Sequence, residues 1–199
     1  MQSEAAPIKF ALDALASGQH GDPFALLGLH DVDGVRTVRT LQPQAHTVQL
    51  LDRSGGSVAE MKRVHDGGIF EAPLPGRLRS YRLKVTEESG HVYEIDDAYR
   101  FPSTLGDLDL YLLTEGSHQE IYRTLGAQPQ KQLGVEGTRF AVWAPNALRV
   151  SVIGDFNGWD GRRHVMRLHP GSGIWEIFIP AVKNGDKYKF ELLDANGQL

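Results

Sequence analysis

The segment GDFNGWDGRRHVM, residues 154–166, gathers the residue types best suited to specific recognition. Trp159 stands there among Gly154, Asn157 and Gly158, a loop composition in which a large ring is not readily absorbed by a core. A flat indole at a surface suits stacking on the C–H face of a sugar ring. Packing against a neighbouring domain is the competing reading of the same side chain. Over Lys187–Leu193 apolar and polar positions alternate, so Lys189 falls on the side opposite Tyr188, Phe190 and Leu192. Its ammonium brings donors and no acceptor, and can therefore donate to sugar hydroxyl oxygens. The amides of Asn157 and Asn196 add both donors and acceptors. Trp159, Lys189 and Asn157 are thus the candidate carbohydrate-binding residues. Trp143, in GTRFAVWAP, and Trp175, in GIWEIFIP, read as packing residues; Phe10, Phe24 and Phe101 read as core or interdomain residues.

No residue set points to catalysis. Asp96-Asp97, Asp107 with Asp109, and Glu87-Glu88 are close carboxylates, and glycoside chemistry needs two carboxyls roughly 5–10 Å apart across a sugar. Neighbours in one strand face opposite ways, however, and pairs beside Gly or Ser read as solvated turns. The chain has no G-x-S-x-G elbow, P-loop or dinucleotide fingerprint. His164 and His169 stand five apart without an H-E-x-x-H helix, so no metal site is expected, and no cofactor. Cysteine is absent, which removes disulfides and thiolate chemistry. The formal charge of −4 lacks the basic footprint of a nucleic-acid binder. No apolar run reaches the roughly 18 residues of a membrane helix, and MQSEAAPIKF is not a signal sequence. The expectation is a soluble, cytoplasmic protein without nucleic-acid or membrane partners.

The elements that would position these residues are mostly strands. Ile8, Ala11, Leu12 and Leu15 form one helical stripe that Ser17-Gly18 ends. Asp22-Pro23 reads as a cap and first-turn proline. Beyond Gly28 the period becomes two, as in Tyr81, Leu83 and Val85, with Gly and Pro punctuation at short intervals. That pattern predicts half-buried antiparallel strands in β-sandwiches.

A long-period repeat organises them. DPFALLG (22–28) is like EIYRTLG (120–126), and GVRTVRTLQP (34–43) is like GTRFAVWAP (137–145). GIFEAPLP (68–75) matches GIWEIFIP (173–180), and YRLKVTEESG (81–90) matches YKFELLDANG (188–197). A period near 100 residues is a duplicated domain rather than a solenoid unit. The reading is therefore all-β: two immunoglobulin-like sandwiches related by duplication, preceded by a short N-terminal helix. Residues 1–21 hold the helix, 22–112 the first sandwich, 113–119 a linker and 120–199 the second sandwich. The first copy continues past its Gly90 turn into a strand over 91–95, while the second stops two residues after Gly197. The expectation is that the chain is the front of a longer protein.

The blocks FAVWAPNALRVSVIGDFNGWD, GIWEIFIP and GDKYKFELLDANG resemble the carbohydrate-binding module of bacterial glycogen branching enzymes. HGDPFALLGLH (20–30), YRFPSTLGDLDLYLLTEGSH (99–118) and IYRTLGA (121–127) resemble the extra N-terminal domain and linker of the long members of that family. The resemblance implies a whole protein that cleaves an α-1,4 link in a glucan and transfers the chain to a 6-hydroxyl, forming α-1,6 branches. It implies an aspartate nucleophile and a glutamate acid/base on an α-amylase-type barrel, and no cofactor. None of those residues maps onto this chain, which alone should be inactive. The partners implied are α-1,4-glucan (glycogen and maltooligosaccharides) and the absent catalytic barrel. Related glycogen-binding modules use two tryptophans and a lysine; one tryptophan falls on Trp159 and the lysine on Lys189, while the second falls near Leu199, which is not aromatic. A stand-alone glycogen-binding adaptor, or the front of a debranching or trehalose-forming enzyme, are the alternative readings.

Overall fold

The computed structural model describes residues 5–76, 78 and 80–199, with side chains from Ile8 onward. It is all-β with a few short helices, and it divides into two compact units. One unit holds the segment ending at His20 and Phe24–Arg100; the other holds Gly21–Pro23 and Phe101–Leu199.

The first unit opens with α1 (Ala5–Ala16), whose Leu15 is buried with Leu27, Leu41 and Ile69. Ile8, at the outer end of the predicted stripe, remains exposed. The helix closes through Gly18 N–H to the Leu15 carbonyl at 3.0 Å and Gln19 N–H to the Ala14 carbonyl at 2.8 Å. Asp22-Pro23 leads only into a single 3-10 turn, Pro23–Ala25. Seven antiparallel strands follow: β1 (Gly28–Val32), β2 (Val35–Leu41), β3 (Ala45–Leu51), β4 (Ser57–His65), β5 (Ile69–Pro73), β6 (Arg82–Glu87) and β7 (Val92–Ile95). They pair in the order β1-β2-β5-β4-β3-β6-β7. The long β4 serves both halves, bonding to β5 and to β3. Val38, Val48, Leu50, Phe70, Leu83 and Val85 form the core. The predicted alternation of β6 appears as buried Leu83 and Val85 between half-covered Arg82, Lys84 and Thr86.

Asp97, one of the close carboxylates, is buried. It accepts the Tyr81 hydroxyl, and burial raises its pKa above the usual carboxylate value. Its neighbour Asp96 pairs instead with Arg100 at 2.6 Å, so the two carboxyls hold the end of the sandwich together from separate sites.

The second unit begins with residues 101–105 lying on its own sheet. Phe101 packs on Phe178 and Leu105 on Ala141 and Ile174. Glu176 is buried and accepts from the Ser103 hydroxyl, from Thr104 N–H at 3.0 Å and from the Thr104 hydroxyl at 3.1 Å. His169 Nε2 lies 3.0 Å away. Burial pushes the Glu176 carboxyl up, but these hydrogen bonds outweigh it and hold the group below its ordinary value. The segment is thus fastened well ahead of the 113–119 stretch expected to be the linker.

Two helices follow that the sequence pattern does not announce: α2 (Asp107–Thr114) and α3 (Ile121–Thr124). α2 sets Leu110 and Leu113 against Leu105 and Ile174. The sheets are β8 (Gly126–Gln132), β9 (Val135–Trp143), β12 (Ile174–Pro180) and β11 (Arg167–His169) in the order β11-β12-β9-β8, and the pair β10 (Arg149–Gly154) with β13 (Tyr188–Leu193). Phe140 meets Tyr188 and Phe190 edge-on between them.

Candidate carbohydrate-binding face

The β10–β13 pair carries the candidate site. Tyr188 and Phe190 turn inward to Phe140, so Lys189 and Glu191 share the outer face, as the alternation predicts. The register sets Lys189 opposite Ile153, beside Gly154, and Glu191 opposite Ser151. The loop from Asp155 to Arg163 folds back over this outer face. Gly161 is its anchor: its carbonyl accepts the Ser151 hydroxyl at 2.6 Å and Arg149 Nη1 at 3.4 Å. Arg149 also pairs with Glu191. A Cβ on Gly161 would lie 1.9 Å from Glu191 Oε1, so a side chain there would force the Glu191 carboxylate to move. Beyond it the chain runs antiparallel to β10, with Val152 N–H bonded to the His164 carbonyl at 3.0 Å and a bridge from Val165 to Ser151.

At the tip, a 3-10 turn (Asp155–Asn157) leads into Gly158 at φ +65° and Trp159 at φ +61°. The left-handed region favours glycine, so Trp159 holds an uncommon conformation that its surroundings must enforce. Two bonds do so: Trp159 N–H to the Gly154 carbonyl at 3.0 Å, and the indole Nε1–H to Asp155 Oδ1 at 2.9 Å. The ring remains 41 % exposed. Since Trp159 is tied to Gly154 and Lys189 sits across from Ile153, both stand at one end of the ribbon. Lys189 is exposed and, among the described residues, makes no ion pair or hydrogen bond with the protein. Next to the tip, Arg162 grips Asp160 through contacts of 2.9 and 2.7 Å. Burial raises the Asp160 carboxyl, and Arg162 more than reverses this, leaving it ionised below its ordinary pKa.

Asn157 differs from expectation. It is 1 % exposed, and its amide is fully engaged inside the loop. Oδ1 accepts Gly154 N–H at 2.9 Å, while Nδ2 donates to the Val152 carbonyl and to His164 Nδ1, both at 2.8 Å. The short turn folds this polar side chain inward, so it shapes the loop and is not presented to a ligand. His164, whose spacing from His169 predicts no metal site, is thereby part of the loop's support. Burial, helped by Arg163, pushes its pKa down to about 3, which keeps Nδ1 free to accept. Asn196 is exposed and folds onto Asp194. Of the remaining tryptophans, Trp175 is buried with its Nε1–H on the Ala144 carbonyl, as expected of a packing residue. Trp143 is 62 % exposed and does not pack as expected. Both faces of β9 are buried at Phe140 and Ala141, so strand parity does not mark Trp143 as an outward position. Phe10 is likewise exposed, whereas Phe101 is core.

Residues 9–99 match the family of the alpha-1,4-glucan branching enzyme GlgB N-terminal domain. Residues 124–199 match carbohydrate-binding module 48, the isoamylase N-terminal domain. The chain is 53 % identical over 187 residues to the 1,4-alpha-glucan branching enzyme GlgB of Paramagnetospirillum magneticum, covering 94 % of this chain and 25 % of that protein. It is 53 % identical over 189 residues to the enzyme of the same name from Rubrobacter xylanophilus, covering 95 % and 26 %. Over 198 residues it is 50 % identical to that of Rhodospirillum rubrum, again covering 95 % and 26 %. The chain spans about a quarter of the length of these curated relatives.

Proposed function

We propose that this chain is an N-terminal part of a 1,4-alpha-glucan branching enzyme, the non-catalytic region that binds α-1,4-glucan and supports a catalytic barrel. The whole protein would cut an α-1,4 link and pass the chain to a 6-hydroxyl, working in the cytoplasm without a cofactor. The chain alone carries no such activity. The observation that carries the reading is the Trp159 loop: a half-exposed indole in a left-handed conformation, fastened at both its main-chain and its ring nitrogen. An ordered platform binds a sugar without first losing side-chain freedom. Lys189 at the same end of the ribbon, unpaired, donates to the sugar hydroxyls. Asn157 acts behind them as the brace of the loop.

One aromatic platform contributes about 0.5–1.5 kcal/mol beyond its buried area, far from the ~8 kcal/mol of micromolar binding, so the affinity is weaker than micromolar and the titration runs into the millimolar range. The test is tryptophan fluorescence during a maltoheptaose titration, with Trp159→Ala alongside. A saturable change that the variant abolishes is expected. A response that persists in Trp159→Ala, or no response from the folded protein at tens of millimolar sugar, refutes the reading.

A further inference from the structure

The two units are copies, and one place is closed in the first and open in the second. The pairing registers identify equivalent residues without reference to sequence likeness. Gly28 opposite Arg39 recurs as Gly126 opposite Ala141, and Leu41 opposite Ile69 recurs as Trp143 opposite Ile174. By the same correspondence Phe24, four residues before Gly28, becomes Tyr122, four before Gly126.

In the first unit Tyr99 closes the place these residues frame. Its ring meets Phe24 edge-on with centroids 4.9 Å apart, and it packs on the cluster of Leu27, Leu41 and Ile69. Its carbonyl oxygen lies 2.7 Å from where a Cβ on Gly28 would stand, so that glycine is needed for the approach. The second unit repeats the frame, with Leu105 and α2 packed on Ile174 and Arg123 5.7 Å from the Tyr122 ring, but among the described residues no aromatic ring meets Tyr122 or Trp143. Tyr122 is 66 % exposed and Trp143 62 %. Gly126 keeps the same left-handed backbone, φ +85° against +88°, yet has no described atom within 4 Å of a Cβ position. An open cavity of about 480 Å³ runs beside Trp143, walled by Pro145, Asn146, Leu192 and Leu199.

The route to this slot is also laid down. Tyr99 reaches its place because β6 turns at Glu87–His91 and returns as β7. That turn has Glu87 N–H on the His91 carbonyl and Gly90 N–H on the Glu87 carbonyl, both at 2.9 Å. After β13 the same turn forms: Asp194 N–H bonds the Gln198 carbonyl at 2.9 Å and Gly197 N–H the Asp194 carbonyl at 3.0 Å. It aims the chain back along the edge of β13 that β10 does not use.

We propose that the Tyr122–Gly126–Trp143 slot is a docking site for an aromatic-bearing segment of the longer polypeptide, delivered past Leu199 by the Asp194–Gln198 turn and seated as Tyr99 is in the first unit. The offset of 107 that relates Tyr81 to Tyr188 puts the aromatic side chain at about position 206. The slot is then an intrachain joint, and Trp143 is a docking residue, not a sugar platform.

The protein itself supplies the probe. A copy of its own residues 93–102 attached directly after Leu199 places the copy of Tyr99 at position 206. The readout is acrylamide quenching of Trp143 in a Trp159→Phe background, where Trp175 is buried and silent to the quencher. The extension is expected to cut Trp143 quenching severalfold and move its emission to the blue. The same extension with serine in place of the tyrosine should leave both near the values of the 199-residue chain. Equal protection by both extensions, or by neither, overturns the proposal. So does maltoheptaose shielding Trp143 in the unextended chain, since the slot would then be a sugar site.

Discussion

Replacing Asn157 tests whether the candidate site is a set of contacts or a braced loop. Asn157→Ala deletes one acceptor and two donated hydrogen bonds in a side chain that is 1 % exposed. The Gly154 N–H and the Val152 carbonyl are then left inside the loop without that partner. At about 0.5–1.5 kcal/mol for each bond, and more where a buried group is left unpaired, the loss is about 2–5 kcal/mol. That is a large part of the ~5–15 kcal/mol that holds a domain folded. All three tryptophans lie in the second unit, so tryptophan fluorescence in urea follows that unit alone. With a slope of about 1–3 kcal/mol per molar, the midpoint should fall by about 1–3 M.

Asn157→Asp sharpens the test. The acceptor for Gly154 N–H survives, but the contact with His164 now needs Nδ1 to donate, and the adjacent carboxylate favours the protonated ring. The His164 pKa should then rise far above its present value of about 3, as read from its ring-proton shifts. Because the unfolded chain titrates near 6.5, each upward step of the folded pKa from about 3 shrinks the stability that acid removes. Asn157→Asp should therefore be relatively more stable in acid than Asn157→Ala. Asn157→Ala with an unchanged midpoint and abolished glucan binding would show that the amide touches sugar, and the burial argument would fail.

In the unaltered protein His164 makes acid destabilising: the native state holds it neutral down to about pH 3, while the unfolded chain protonates near its ordinary 6.5, so stability falls as pH drops through that window. The loss reaches about 2 kcal/mol at pH 5, and urea melts of His164→Asn, which keeps an acceptor at the Nδ1 position, should show a flat profile between pH 7 and 5. Gly161→Ala pushes a methyl into the Glu191 carboxylate and loosens its pairing with Arg149, at about 1–3 kcal/mol for a charge-assisted hydrogen bond; an unchanged urea midpoint with an intact Trp159 indole signal in NMR would refute the anchoring role.

How much of this could be read in advance depended on whether a residue's environment is set within its own strand. The period of two in 81–86 and 187–193 gave the strands and the outward side of Lys189 directly, because half-buried strands write their two faces into alternate positions. The turn residues around Trp159 likewise gave an exposed ring. Asn157 was misplaced because polarity marks a surface only when no local partners exist; here a one-turn helix brings Gly154 N–H, the Val152 carbonyl and His164 to its amide. α2 was illegible for a different reason. DLDLYLLT alternates like a strand, and only the presence of Leu105 and Ile174 selects the helical pairing of Leu110 with Leu113.

Trp143 is the most informative failure. Its first-unit counterpart Leu41 is buried by α1 and Tyr99, elements far away in the chain, and nothing in GTRFAVWAP distinguishes a covered from an uncovered position. The two places are alike in backbone, register and glycine conformation, and they differ in the ring that covers Leu41 and leaves Trp143 exposed. A repeat read from sequence therefore transfers the frame of one copy to the other, but the exposure of a residue transfers only if its cover is copied as well. The tyrosine extension measures that cover directly.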